Sequence, residues 1–427
     1  MDTIDTPYGT FPAYYQIKKL EDLCIREIGI QTGPFGSQLH NSDYVSIGTP
    51  ILTVEHLGEN RISHKDIPKV SEDDRKRLER YSLKKGDIVF SRVGSVDRRS
   101  LVREEEVGWL FSGRCLRVRP DPDVLDSVFL SYLMGLPSFK EYIRKIAVGA
   151  TMPSINTEIL SNIPICYPPL TIQHNIAQIL GSLDNKIELN RKMNETLEAM
   201  ARAIFKSWFV NFDPVRAKME DRPSTEMDVE TAALYSGEFE VVDGREVPKG
   251  WSIKSLGNVI DLRYGKALKE EDRIFGNIPV FGSNGQIGWH NEKLADGPGI
   301  IVGRKGNPGT VTWSTTDFFA IDTTFYVIPK KDHISLFYLY YELQRQNLQS
   351  LGADSAVPGL NRNFVYMNKI LIPPNGILDR FDSIVMKLNK QIQINNDQSI
   401  TLTKIRDLLL PKLVFGLIRI PIFNEVP

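Results

Sequence analysis

The stretch TIQHNIAQILGSLDNKIELNRKMNETLEAMARAIFKSWF, Thr171 to Phe209, carries apolar residues at Ile172, Ile176, Ile179, Leu180, Leu183, Ile187, Met193, Leu197, Met200, Ile204 and Trp208. Steps of three and four place these on one side of an α-helix. Thr171, just after Pro168-Pro169, is the expected N-cap. At ~1.5 Å per residue, about 38 residues of helix extend roughly 57 Å. A helix that long with so narrow an apolar stripe needs a partner. With heptads phased on Ile176, Leu183, Leu197 and Ile204 at position a, one polar residue intrudes, Asn190.

The partner is written in the same chain. A shift of 205 aligns Pro153 with Pro358, Asn156 with Asn361, Pro168-Pro169 with Pro373-Pro374, Leu183 with Leu388, Ile187 with Ile392, Asn190 with Asn395 and Leu197 with Leu402. One offset held without a gap over such a span marks a duplicated segment, and its period is far too long for a solenoid. The second helix has Phe381, Leu388, Asn395, Leu402 and Leu409 at position a, so the polar intruder recurs. An isolated Asn in such a seam lowers stability and fixes register. The expectation is an antiparallel coiled coil with pseudo-twofold symmetry in which Asn190 and Asn395 meet. Pro411 is the expected end of the second helix and Phe212-Asp213-Pro214 that of the first.

Upstream of each helix the repeat is looser. GATMPSIN (149–156) echoes GADSAVPGLN (352–361), IKKL (17–20) echoes IKSL (253–256), and GDIVFSRVGS (86–95) echoes GIIVGRKGN (299–307), aligning Arg92 with Arg304. IVFSRVG, CLRVRP, GIIVGR, GTVTW and TTFYVIP read as strands, being short β-branched or aromatic runs bounded by Gly, Asn and Pro. The fold class is therefore α+β: two β-rich globular domains in tandem, each followed by a long helix. The divisions expected are a first domain over 1–170, a helix over 171–212, an acidic linker over 213–249, a second domain over 250–375, a helix over 376–416 and a tail over 417–427.

Composition sets limits on function. The 427 residues are 41% hydrophobic and 25% charged, with net charge −1. No apolar run is long enough for a membrane span, and MDTIDTPYGTFPAYY lacks the features of a signal peptide. Cys24, Cys115 and Cys166 are scattered thiols without a CxxC, which suits a reducing cytoplasm. Charge is unevenly spread. Arg75 to Arg103 holds ten basic residues against Glu79, Asp87 and Asp97, followed by Arg114, Arg117 and Arg119; residues 213–249 hold ten acidic against five basic. Such local basic density suits phosphate contact or an ordinary solvated surface. Phosphate-loop motifs GxxxxGK[ST] and GxGxxG are absent, as are HExxH, GxSxG and an Asn-Pro-Pro-aromatic motif. FGSNGQIG (281–288) reads as tight turns, and six dispersed histidines offer no metal-ligand spacing. The residues describe a binder and assembler with no metal site and no catalytic residue.

Three phrases then place the chain. GIQTGPFGSQLHNSDY (29–44), LKKGDIVFSRVGS (83–95) and SWFVNFDPVRAKME (207–220) resemble the specificity subunit of type I restriction-modification systems, and the tandem plan covers nearly the whole length. The second copy departs from the pattern, with LRYGKALKEEDR (262–273) in place of GPFGS. The resemblance implies that each globular domain is a target recognition domain reading half of a bipartite, asymmetric site in double-stranded DNA. It implies that the helices set the separation of the halves; at ~3.4 Å per base pair, ~57 Å is about 17 base pairs. It implies no activity in this chain, two methyltransferase subunits and restriction subunits as partners, and S-adenosylmethionine, ATP and magnesium held by those partners. Residues of the right chemistry for base edges and phosphates are Ser37, Gln38, His40, Arg92, Ser95, Arg98 and Arg99 in the first domain, and Arg263, Lys266, Asn284, Gln286, Arg304, Lys305 and Asn307 in the second. Asn156 and Asn361 suit turn capping better than readout. The rival readings are a DNA methyltransferase with cryptic motifs and a tandem scaffold that binds only protein.

Overall fold

The computed structural model describes residues 2–34, 38–222, 227–330, 334–352 and 359–418. They gather into two compact units: the chain through Leu189 together with the segment from Gln398 onward, and Asn190–Asp397. The boundaries fall inside the two long helices, Leu170–Lys206 and Asn375–Val414, rather than at their starts.

In the first unit, strands Ile30–Thr32, Cys115–Val118, Ile88–Ser91 and Arg99–Leu101 form an antiparallel sheet in that order. The period of two along a strand sends neighbouring side chains to opposite faces. Ile88 and Phe90 enter one hydrophobic cluster with Leu116, Phe129 and Leu133; Val89 enters another with Ile51, Leu52 and Phe111. Both faces are covered, so IVFS is buried at every position. A smaller sheet contains a parallel pair, Leu110–Phe111 against Thr49–Leu52. Strand Gln16–Lys19 pairs with Pro164–Tyr167, and the long helix leaves directly from that pairing.

The second unit repeats the plan. Its main sheet runs Ile260–Tyr264, Thr324–Pro329, Gly299–Gly303 and Val311–Ser314. Ile300 and Val302 face a cluster with Phe325 and Val327, whereas Ile301 faces Phe281, Phe318 and Tyr326. FGSNGQIG is a hairpin joining Ile278–Gly282 to Gly285–His290, with Gly285 at φ 102°. Strand Ser252–Ser255 pairs with Lys369–Ile372, matching the pairing that launches the first helix.

Residues 213–249 are more than a linker. They contain helices Asp213–Met219 and Val229–Ala233 and a hairpin of Phe239–Val242 with Arg245–Pro248. Val215 and Tyr235 are buried, and Tyr235 packs 5.9 Å from Trp208. Phe212 turns the chain with φ 57° and sets its ring against Phe239 and Trp251. The acidic residues decorate a folded element of the second unit.

Two helix termini differ from the sequence reading. The first helix opens on the Pro169 carbonyl, which accepts from Ile172 and Gln173, so Thr171 lies inside the first turn and does not cap it. Pro411 lies within the second helix, which continues to Val414.

The helices run antiparallel within the second unit, where Asn190 meets Asn395 and Phe205 packs 6.2 Å from Phe381. The Asn190 side-chain amide donates to the Asn395 carbonyl at 3.2 Å, and the Asn395 amide donates to Asn194 Oδ1 at 2.8 Å. Asn190 and Asn395 are 0% and 3% exposed, so both occupy the seam. In the first unit, Asp184 is 5% exposed and accepts from Tyr132 Oη at 2.6 Å and from Arg406 at 2.7 Å, pinning the second helix.

Candidate nucleic-acid interface

In the first unit, strand Ile88–Ser91 ends in a loop that re-enters the sheet at Arg99. Ser91 N–H donates to the Arg98 carbonyl at 3.0 Å and closes it, with Gly94 at φ 81° at the tip. A second segment staples the loop: Ile155 N–H donates to the Arg92 carbonyl at 2.9 Å and Gly94 N–H donates to the Pro153 carbonyl at 2.8 Å. Gly33 lies alongside, its N–H donating to the Cys115 carbonyl at 3.2 Å, and a Cβ there would sit 2.2 Å from the Ser112 oxygen. Only glycine allows this approach.

The second unit builds the same frame. Leu360 N–H donates to the Arg304 carbonyl at 2.8 Å, as Ile155 does to Arg92. Arg304 N–H donates to the Thr323 carbonyl at 2.8 Å, as Arg92 does to Arg114. Gly265 N–H donates to the Thr324 carbonyl at 3.1 Å, and a Cβ there would sit 2.1 Å from the Ile321 oxygen. Gly306 has φ 81°, the value at Gly94. The repeated phrases around Asn156 and Asn361 are therefore staples for two equivalent loops. Both Asn residues cap short helices: Asn156 Oδ1 accepts from Ile159 N–H at 2.8 Å and Asn361 Oδ1 from Asn363 N–H at 2.9 Å.

The two frames present different side chains. Ser95 and Arg98 are exposed on the first loop, and Arg114 is exposed beside it. Arg98 and Arg114 form no ion pair among the described residues. Arg92 is half-buried, and its guanidinium donates to the Gly113 carbonyl at 3.3 Å. Lys305 and Asn307 are exposed on the second loop, and Asn307 donates to Asn284 of the neighbouring hairpin, where Gln286 is also exposed. Lys266 is exposed, and Arg263 is exposed with Asp261 3.6 Å away. Arg304 is half-buried over the Tyr264 ring at 5.1 Å.

Elsewhere on the first unit, Gln38 is held by residues the sequence reading passed over. Its Oε1 accepts from Tyr81 Oη at 2.7 Å and from Arg80 at 3.3 Å, while its carbonyl accepts from Arg77 at 2.7 Å. The signal available was the Arg-rich helix Glu72–Arg77, read as charge rather than as support. His40 is exposed, with its N–H bonded to Asp43 at 2.9 Å. Ser37, Phe35 and Gly36 lie outside the described residues.

Arg99 requires correction. It is 2% exposed, its Nε donates to the Ser131 carbonyl at 2.7 Å, and its guanidinium meets Glu59 at 2.6 Å. Burial pulls its pKa down while Glu59 opposes the shift, and no surface is left for DNA. The basic run contains further internal braces. Arg119 forms a bidentate pair with Asp87 at 2.6 and 2.7 Å, both buried. Arg117 is buried against the Ile28 carbonyl, its pKa lowered by burial to about 10. Arg75 and Arg77 pair with Glu72 and Asp74 on their own helix.

No described helix is long and apolar enough to cross a membrane. Among the described residues no group of three His, Cys, Asp or Glu side chains is placed to hold a metal.

Comparison with known proteins adds a family to this geometry. The profile described as "Type I restriction modification DNA specificity domain" matches residues 12–199 and 248–403, one match per copy. The MjaIX specificity subunit of Methanocaldococcus jannaschii, a type I restriction enzyme subunit, is 25% identical over 97% of this chain and 96% of its own. The HindI specificity subunit of Haemophilus influenzae, also of a type I restriction enzyme, is 28% identical over 84% of this chain and 91% of its own. The crystal structure of a type I restriction-modification S subunit from M. genitalium shares the fold with TM-score 0.57 and 18% identity, covering 96% of this chain and 99% of that one. With two equivalent copies each matched, the chain belongs to the family of type I restriction-modification DNA specificity proteins.

Proposed function

We propose that this chain is the DNA-reading subunit of a type I restriction-modification assembly, with each unit reading one half of a bipartite, asymmetric site. One observation carries the reading: the same stapled backbone frame occurs twice, and the side chains it exposes differ, Ser95 and Arg98 on one loop, Lys305 and Asn307 on the other. Equivalent frames place two loops in equivalent roles; different side chains give them different sequences to read. At and around the frames, Arg98, Lys266 and Lys305 supply cationic contacts and Ser95, Asn284, Gln286 and Asn307 supply groups suited to base edges; Gln38 and His40, elsewhere on the first unit, are of the same chemistry. Arg92 braces its loop through the Gly113 carbonyl, and Asn190 with Asn395 fixes the register of the helix pair.

The chain contributes recognition and no chemistry. Two methyltransferase subunits bring S-adenosylmethionine, restriction subunits bring ATP and magnesium, and the assembly works in the cytoplasm. Linkage of two readers in one chain turns the second contact into an intramolecular one, so incorrect spacing between half-sites forfeits that gain. The test is a binding titration of the chain assembled with its methyltransferase subunits on duplexes carrying both half-sites. Inserting or removing base pairs between them is expected to lower affinity by at least tenfold. Equal affinity for every spacing would refute bipartite reading.

A further inference from the structure

In the second unit, Tyr264, Arg304, Lys305, Phe325, Leu360 and Arg362 help line a cavity of about 380 Å³ beside the candidate reading loop. The lining holds three cationic side chains and no carboxylate among the described residues. Tyr264 organises it. The Arg304 guanidinium lies 5.1 Å from its ring centroid and that of Arg362 5.2 Å, while the Phe325 ring packs 5.0 Å away. Guanidinium planes stacked on aromatic rings keep their N–H edges available for an acceptor. Arg362 spends one N–H on the Leu262 carbonyl at 3.3 Å, which orients the group. The Arg304 guanidinium forms no hydrogen bond or ion pair among the described residues.

The equivalent positions of the first unit carry different side chains. The backbone correspondences set Thr32 against Tyr264, Val93 against Lys305, Leu116 against Phe325 and Thr157 against Arg362, leaving Arg92 as the one cation. Two guanidiniums held about 5 Å from one ring beside a lysine can supply N–H donors to the tetrahedral oxygens of a phosphate. We infer that this cavity is an anion clamp that grips a phosphodiester of the DNA backbone through Arg362, Arg304 and Lys305. The inference rests on the DNA-reading function proposed above. Arg362 is then a positioning residue that holds the second half-site in register without reading its bases.

The test uses the full chain assembled with its methyltransferase subunits and fluorescence anisotropy on two duplexes, one with the recognised site and one scrambled. Arg362→Ala is expected to weaken both by the same factor and to make the slope of log K against log salt shallower by about 0.9. Between ~50 and ~200 mM salt, its deficit then shrinks about 3.5-fold. Arg362→Lys, which keeps the charge, is expected to retain the slope. If Arg362→Ala lowers the melting midpoint, Lys305→Ala at an exposed position takes its place, with the same expectation. An unchanged slope in Arg362→Ala and Lys305→Ala overturns the clamp, as does a loss confined to the recognised duplex, which marks base reading. Inorganic phosphate titrated into the DNA-free complex separates the two sources of phosphate: its binding lost in Arg362→Ala with an unchanged DNA slope marks a free-anion site and overturns the inference. A wild-type complex that binds neither duplex overturns the proposed function and this inference together, whereas normal wild-type binding with unchanged variants overturns the clamp alone.

Discussion

Arg98 and Arg99 are adjacent in sequence and opposite in fate, and alanine at each position separates the two roles. Arg99 is 2% exposed and braces Ser131 and Glu59. Breaking a buried pair costs ~3–5 kcal/mol when the remaining charge is stranded. That is an upper bound here, because the Glu59 side chain is 55% exposed and keeps Lys140. The Ser131 carbonyl loses its donor, which costs ~1–3 kcal/mol, and the missing methylenes leave a gap. About 3 kcal/mol is the resulting expectation for Arg99→Ala. At ~2–4 °C per kcal/mol for a unit of roughly 200 residues, the melting midpoint of that unit falls by about 6–12 °C. Arg98 is exposed and without an ion pair among the described residues, so Arg98→Ala is expected to shift stability by less than ~0.5 kcal/mol. Its effect belongs to DNA: weaker binding and a shallower salt slope. The assays are differential scanning calorimetry of the full chain and a salt-dependent DNA titration of the assembled complex. If Arg99→Ala keeps its midpoint and loses DNA affinity, the assignment of Arg99 as an internal brace is wrong.

Three further outcomes are expected. Replacing Asn190 and Asn395 together by Leu exchanges a buried polar contact for apolar packing and raises the calorimetric midpoint by a few degrees; an unchanged or lower midpoint argues against a register device that lowers stability. Gly33→Ala and Gly265→Ala push a Cβ to within 2.2 and 2.1 Å, respectively, of a carbonyl oxygen, so each disrupts one loop frame and lowers site-specific DNA binding by at least tenfold; binding unchanged in both shows that these close glycine contacts are dispensable. Burial raises the thiol pKa of Cys24, Cys115 and Cys166 to about 12, so the folded state holds protons that the unfolded chain releases. Their contribution to stability is full below the ordinary thiol pKa and declines as pH rises through it, and all three react with a thiol reagent at pH 8 only after denaturant is added. Reaction of a native thiol at the free-cysteine rate contradicts this.

The large features were legible because they rest on periodicity and repetition. The apolar stripe marked both helices, and the shift of 205 paired them and singled out Asn190 and Asn395. Strand phrases such as IVFSRVG and GIIVGR were visible because their sheets are covered on both faces and leave continuous apolar runs. Direction within the basic run was not legible. Arg98 and Arg99 carry the same chemistry, and their separation depends on where the loop re-enters the sheet, which the Ser91 N–H bond to the Arg98 carbonyl and the pairing of Phe90 with Arg99 decide. Residues 213–249 read as a linker because acidic exposed faces dominate their composition, while Val215 and Tyr235 are too few to announce a packed element. The cradle around Tyr264 was hidden for a related reason: Arg304 and Arg362 lie far apart in sequence and meet only through the ring between them.

Two equivalent loops reading two separate half-sites would leave their signature in the DNA methylation motif of the assembled complex. Sequencing of modified bases in DNA treated with wild-type complex is expected to return two short specific blocks separated by unread positions. With Ser95→Ala, recognition is expected to relax in one block only; with Asn307→Ala, in the other only. A single continuous motif, or either variant relaxing both blocks, would contradict the account.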